Sequence, residues 1–180
     1  SGISKLSPGS RMSVISVLGL DPGVAALGYG VIEERSEGLK VIDYGILTTS
    51  AKSPTPERLQ TLYRGLIELM ERYQPHEVAV ELFVARNLKT ALVVGQSRGV
   101  ALLAAAHKGL PVYEYTPLQV KQQVSGYGRG DKKQVQKMIQ IQLGLSSIPR
   151  PDDAADALAL AMCHLQETRL KRLIAKTQGC

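Results

Sequence analysis

Residues Val14–Asp21, V-I-S-V-L-G-L-D, are apolar at almost every position and turn at Pro22-Gly23. A run this short, rich in Val, Ile and Leu, predicts a strand covered on both faces. Leu27–Glu34 and Leu39–Leu47 alternate well enough to be strands, with a turn at Gly38 between them, so residues 14–48 read as an antiparallel three-strand meander. The period then lengthens. Leu59, Leu62, Tyr63, Leu66, Leu69, Met70 and Tyr73 recur at helical spacing and stop before Pro75. Thr55 is the expected N-cap of that helix and Pro56 its first residue. Val78–Val80 is a second buried strand, and it closes on Glu81.

The longest helical pattern is Arg86–Lys108, with an apolar stripe of Leu88, Ala91, Leu92, Gly95, Gly99, Leu102, Leu103 and Ala106. A glycine inside a helix costs about 1 kcal/mol, so Gly95 and Gly99 imply a close neighbour. Packing on the sheet is the default reading; a subunit contact is the other. Pro111–Tyr115 reads as a short strand, and Thr116–Gly130 as a polar, mobile stretch punctuated by glycines. Asp131 caps a helix with Val135, Met138, Ile139 and Leu143 inward and Lys132, Lys133 and Lys137 outward. A last helix begins at Pro151 and runs to about Leu170, apolar on nearly every face between Ala154 and Leu165. This order of elements predicts a mixed α/β sheet with helices on its faces.

A chain of 180 residues suits one domain with a full core. Residues 1–12 lack any hydrophobic period and are set aside as an expression scar or disordered tail. The domain is expected over 13–170, with a basic, flexible tail over 171–180. No apolar run approaches the ~20 residues of a membrane span, and no signal-peptide core is present. Cys163 and Cys180 have neither zinc nor disulfide spacing, which points to a reducing cytoplasm and makes Cys163 a small core hydrophobe.

The net charge of +6 comes entirely from the two ends of the chain. Between them the signs segregate. Residues 12–80 hold six basic and nine acidic groups, residues 81–137 nine basic and three acidic, and residues 138–168 one basic and four acidic. A basic middle around acidic segments suits an enzyme acting on a polyanion; a charged surface that happens to segregate is the plain alternative.

Three carboxylate sites stand out. Asp21 ends a central strand, where sites gather in open α/β sheets, although an aspartate before Pro-Gly is also a common turn. Glu81 lies inside an apolar stretch, and a buried glutamate without a partner is costly. Asp152-Asp153-Ala154-Ala155-Asp156 opens the apolar C-terminal helix. Acids in a first helical turn complement its dipole, which accounts for Asp152 and Asp153 but not for Asp156, expected to be buried with its helix. Asp153 and Asp156 share a face and repel unless a cation joins them. Asp21, Glu81, Asp153 and Asp156 therefore read as hard oxygen ligands for Mg²⁺ or Mn²⁺, and two such ions suit phosphodiester hydrolysis. His164, eight residues after Asp156, reads as a satisfied core histidine; His76 and His107 read as loop or surface residues.

An ordered series of motifs then narrows the reading: L-G-L-D-P-G with G-Y-G-V-I, V-A-V-E with A-R-N, G-Q-S-R-G-V-A, V-Y-E-Y, Q-V-K-Q-Q-V-S-G-Y-G, D-K-K-Q-V-Q-K-M and D-A-A-D-A-L-A-L-A. Spanning residues 17–161, it resembles the bacterial Holliday-junction resolvases of RuvC type, within the ribonuclease H-like superfamily. The resemblance implies a ribonuclease H-like mixed five-stranded sheet with helices on both faces. It also implies a homodimer that cuts opposed strands of four-way junction DNA, with a branch-migration motor as a further partner. By motif position the metal quartet is Asp21, Glu81, Asp153 and Asp156, with Asp152 an extra neighbour. Lys121 and Lys132 match lysines implicated in activity and in contact with the DNA backbone, Lys121 being a candidate for both roles, and the neighbouring Lys133 is a further candidate for the second. In the basic middle, Arg86, Lys89 and Arg129 are further candidate DNA contacts. The family places a base-stacking aromatic three residues after the metal-site glutamate, whereas Phe83 follows Glu81 by two. Phe83 and Tyr127 are both candidates for the wedge, and a core phenylalanine is the alternative for Phe83. The rival functions are a non-catalytic junction-binding protein and an actin-like or sugar-kinase ATPase. The latter lacks its second glycine-rich phosphate loop.

Overall fold

The structure is a computed structural model that describes residues 14–83, 86–126 and 131–179. The meander is β1 (Ile15–Asp21), β2 (Ala26–Arg35) and β3 (Gly38–Thr48), paired antiparallel. On the other side of β1 lie β4 (Glu77–Glu81) and β5 (Val112–Tyr115), both parallel to it, giving the order β3-β2-β1-β4-β5. The expected mixed five-stranded sheet is borne out. Because Leu20 pairs with Val80 in a parallel ladder, the next residue of each strand, Asp21 and Glu81, leaves the sheet at the same edge.

Alternation along the strands divides the core in two. Leu18, Leu20, Val78 and Val80 face α1 (Thr55–Tyr73) and α2 (Leu88–His107), meeting Leu62, Leu66, Ala101 and Ala104. Val17, Ile32 and Ala79 face α3 (Pro117–Ser125), α4 (Lys132–Gln142) and α5 (Asp152–Gln178), meeting Val120, Val135, Ile139, Leu158 and Leu160. Fully burying one such aliphatic side chain contributes about 1.5–3 kcal/mol.

The seat of α5 is set by two strand glycines. A Cβ on Gly19 would lie 2.0 Å from the Ala157 carbonyl oxygen, and one on Gly28 would lie 2.0 Å from that of Asp153. Any side chain there would lift the helix off the sheet. Gly28 also pairs across the ladder with Asp21, so the closest approach of α5 coincides with the end of β1.

Several expectations are corrected. Thr55 is not a cap: α1 begins at that residue, Pro54 occupies the cap position, and no side-chain cap bond forms. The long helix starts at Leu88, where the Asn87 side chain accepts from the Thr90 N–H. Its apolar stripe does not pack on the sheet: Leu88, Leu92 and Leu103 are 75%, 60% and 61% exposed, and among the described residues a Cβ on Gly95 or Gly99 would meet no atom within 4 Å. Ser97, Ala101, Ala104 and Ala105 make the inward face instead. The stretch after Thr116 is helical as far as Ser125, started by a capping box between Thr116 and Gln119 with Pro117 in the first turn. Finally, α5 does not end near Leu170 but continues to Gln178, with Arg172 bridging to Glu34 at 3.1 Å. The tail expected at residues 1–12, together with Tyr127 and Arg129, lies outside the described residues. Among the described residues no helix is long and apolar enough to cross a membrane.

Candidate metal centre and active site

Carboxylates from three elements meet at the edge defined by β1 and β4. One oxygen each of Asp21, Asp153 and Asp156 lies within 4.8 Å of the others, and the Asp21 carboxyl is hydrogen-bonded to Glu81. Three of the four acids named from sequence thus meet, and Glu81, outside that group of three, stands beside Asp21 and lines the same cleft as Asp156. Burial, then the bond to Glu81, then the charges of Glu81, Asp156 and Asp153 hold the Asp21 carboxyl far above the usual carboxylate range. The Asp156 carboxyl is pushed up to about 6, by burial first; Lys132 opposes that shift, and Glu81, Asp153 and Asp152 add to it. Such values mark carboxylates crowded together in a partly buried site, where each disfavours the charge of the next. Hard oxygen donors at this spacing fit divalent cations of the Mg²⁺ or Mn²⁺ kind.

The site is less dry than its flanking sequence implies. Asp156 sits on a helix buried from Ala154 to Leu165, yet its own side chain is 38% exposed. It opens onto a cleft lined by Glu81, Lys121, Val120, Lys132, Val135 and Leu160. Lys132 is exposed, as expected, and its ammonium leans over the acids: its Nζ lies 3.7 Å from Asp156 Oδ2 and 3.4 Å from Asp152 Oδ2. Burial alone would depress that ammonium, but Asp156 and Asp152 more than reverse the effect and leave it above its ordinary value. Asp152 shares Lys132 with Asp156 but does not belong to the group of acids that meet within 4.8 Å. It accepts from the Gln136 amide at 3.1 Å and pairs with Arg150 at 3.1 Å, and these contacts with Lys132 hold its carboxyl low.

Lys121, on α3, faces the same cleft, so two cations stand beside the acids where a phosphodiester would lie. Phe83 is 40% exposed, which removes the core reading; it shares a surface hollow with Leu82, Ala91, Val94, Gly95 and Arg98. Arg86, Lys89 and Lys133 are exposed. His164 is fully buried with both ring nitrogens engaged, and Cys163 is buried beside it. His76 accepts the Ser16 N–H at 3.0 Å, and His107 pairs with Tyr63.

Sequence reasoning missed two supports of the site. Gly28 lets Asp153 approach Asp21, and a glycine inside a strand pattern was the available signal for a close backbone approach. Ser97, buried on α2, donates its hydroxyl to the Gly23 carbonyl at 3.1 Å and so steadies the turn after Asp21. A serine within an apolar helix gives no such hint.

Residues 17–164 match the family model described as crossover junction endodeoxyribonuclease RuvC. A relative of that name from Chloroflexus aggregans is 58% identical over 148 residues, covering 82% of this chain and 90% of the relative. One from Clostridioides difficile is 50% identical over 164 residues, covering 91% and 97%. Among solved structures, Thermus thermophilus RuvC in complex with Holliday junction substrate superposes with a TM-score of 0.83 at 37% identity, covering 87% of this chain and 96% of that one. The yeast mitochondrial Holliday junction resolvase Ydc2 superposes at 0.62 with 16% identity, a likeness of fold alone.

Proposed function

The chain belongs to the RuvC family of crossover junction endodeoxyribonucleases, and from that premise we propose which residues carry the reaction and what they act on. It is a hydrolase of DNA, which sets aside the ATPase and the non-catalytic binder. Its substrate is four-way junction DNA, and its reaction is metal-dependent phosphodiester hydrolysis during recombination and repair. The observation that carries the reading is the meeting of Asp21, Asp153 and Asp156 within 4.8 Å beside Glu81.

These four carboxylates would hold two divalent ions, Mg²⁺ or Mn²⁺. When bound, such a pair supplies an attacking water of lowered pKa and stabilisation of the leaving oxygen. The protein's own groups do the rest. Asp21 and Glu81, fixed at the ends of paired strands, and Asp153 and Asp156, on one face of α5, anchor the centre on rigid elements. Lys121 and Lys132 are placed to hold phosphate oxygens of the scissile strand, Lys132 exchanging its contact with Asp156 for one with the backbone. Arg86, Lys89, Lys133 and Arg129 extend the basic track. Phe83 is exposed at the rim and offers a face to an unpaired base, a contact worth ~1–3 kcal/mol. Tyr127 is the second aromatic candidate.

Opposed cuts need two active sites, and the outward face of α2 offers the seam. Leu88, Leu92 and Leu103 are exposed there, and no atom of the described residues lies within 4 Å of a Cβ on Gly95 or Gly99, which would let a second backbone approach. The protein acts as a homodimer in the bacterial cytoplasm, where a branch-migration motor would present it with junctions.

The test is cleavage of a synthetic four-way junction with and without Mg²⁺ or Mn²⁺. Asp21→Asn should bind the junction as well as the parent or better. Its cleavage should fall about a thousandfold, or about 4 kcal/mol. Cutting that persists in chelator, or in Asp21→Asn, would refute the proposal.

A further inference from the structure

His164 is remote from the reacting centre, and nothing in the reaction uses it. Its Nε2 lies 2.9 Å from Glu77 Oε2, its Nδ1 lies 2.5 Å from the Tyr115 hydroxyl oxygen, and the Tyr113 ring stacks on it at 4.4 Å. A carboxylate can only accept, so Nε2 carries the proton and Nδ1 accepts the Tyr115 O–H. Burial first, and then the neighbouring Glu167, push that phenol up.

The position of this cluster along the strand gives it a role. Glu77, Ala79 and Glu81 alternate on the face of β4 turned toward α5: Glu77 bonds His164, Ala79 enters the core beneath the helix, and Glu81 lines the cleft with Asp156. From Glu77 to Glu81 the strand advances about 13 Å. From Asp156 to His164 the helix advances about 12 Å. The spans match with opposite sense, so Glu81–Asp156 and Glu77–His164 are two rungs between one strand and one helix. Tyr115 ties the rungs together. It pairs with Glu81 across the ladder, and its carbonyl accepts the Leu82 N–H at 2.8 Å.

Gly19 and Gly28 let α5 lie close to the sheet, and Val17, Ile32 and Ala79 meet it through apolar contacts, which lack the directionality of a hydrogen bond. Resting on the metal reading above, we propose that Glu77, His164 and Tyr115 are positioning residues. They form a largely buried clamp that sets the axial position of α5 along β4. The clamp thereby fixes the spacing of Asp153 and Asp156 from Asp21 and Glu81, and with it the affinity of the carboxylates for divalent ions.

The test is Mn²⁺ binding to the metal-free protein without DNA, followed by the electron paramagnetic resonance of free Mn²⁺. Tyr115→Phe and Glu77→Ala should each raise the Kd about tenfold or more. Glu77→Gln should stay close to the parent, since its amide oxygen still accepts from Nε2–H. Parent-like Mn²⁺ binding by folded Tyr115→Phe and Glu77→Ala overturns the inference, as does equal weakness of Glu77→Gln and Glu77→Ala. If Glu77→Ala fails to fold, Tyr115→Phe decides the matter. Asp21→Asn separates the two proposals. Should the parent bind no Mn²⁺, or Asp21→Asn bind it equally well, the metal site itself fails and the clamp with it.

Discussion

The first half of α5 and the outer face of α2 are comparably apolar, yet one is buried by its own chain and the other is left open. From Ala154 to Leu165 the buried turns of α5 lie on a sheet whose strands carry glycine where the helix comes nearest. On α2 the glycines are in the helix, and among the described residues a Cβ on either would meet nothing within 4 Å. The location of the small residue distinguishes the two. Glycine in the floor admits a helix of the same chain, whereas glycine on an exposed apolar helix face leaves room for another molecule.

The largest test of that contrast is Gly28→Ala. The added methyl meets the Asp153 carbonyl at 2.0 Å, and a backbone atom cannot swing aside. Overpacking of this kind costs about 1–3 kcal/mol, measurable by denaturant unfolding. Displacing Asp153 by ~1 Å should lower cleavage about a hundredfold. Unchanged cleavage would mean that the seat of α5 does not govern the site.

The counterpart on α2 is Gly99→Leu, which has room in the single chain. It should fold normally and sediment as a monomer where the parent is a dimer. A dimeric Gly99→Leu would place the seam elsewhere.

A smaller effect concerns pH. Folding raises the Asp156 carboxyl to about 6, from an unfolded value near 3.8, and raises Asp21 as well. The folded chain therefore keeps protons that the unfolded chain has released. The stability tied to the Asp156 proton is present below about pH 4 and is lost as pH rises through about 6, while the Asp21 proton is held to higher pH. In the metal-free protein, Asp156→Asn should match the parent in Tm near pH 4 and exceed it near pH 7, and added Mn²⁺ should narrow the gap. A constant difference across that range would remove electrostatic strain from the account.

What could be read in the sequence follows from the same physics. The strands were legible because short branched apolar runs have few other uses, and Asp21 and Glu81 because they interrupt such runs at their ends. The α3 helix was hidden by its polar composition, although Thr116, Pro117 and Gln119 spell out its start. The stripe on α2 announced that a face must be covered but not by what. Asp156 was expected to share the burial of its neighbours, yet one helical position at the mouth of a cleft escapes an otherwise buried segment. Phe83 differed for a related reason: it lies past the end of β4, where alternation no longer directs side chains inward.

The most direct measurement is an anomalous difference map from crystals soaked in Mn²⁺. The account predicts peaks coordinated by Asp21, Glu81, Asp153 and Asp156, and none at that place in Asp21→Asn. Peaks confined to other acids, or a Lys132 ammonium still paired with Asp156 in an ion-free cleft, would contradict it.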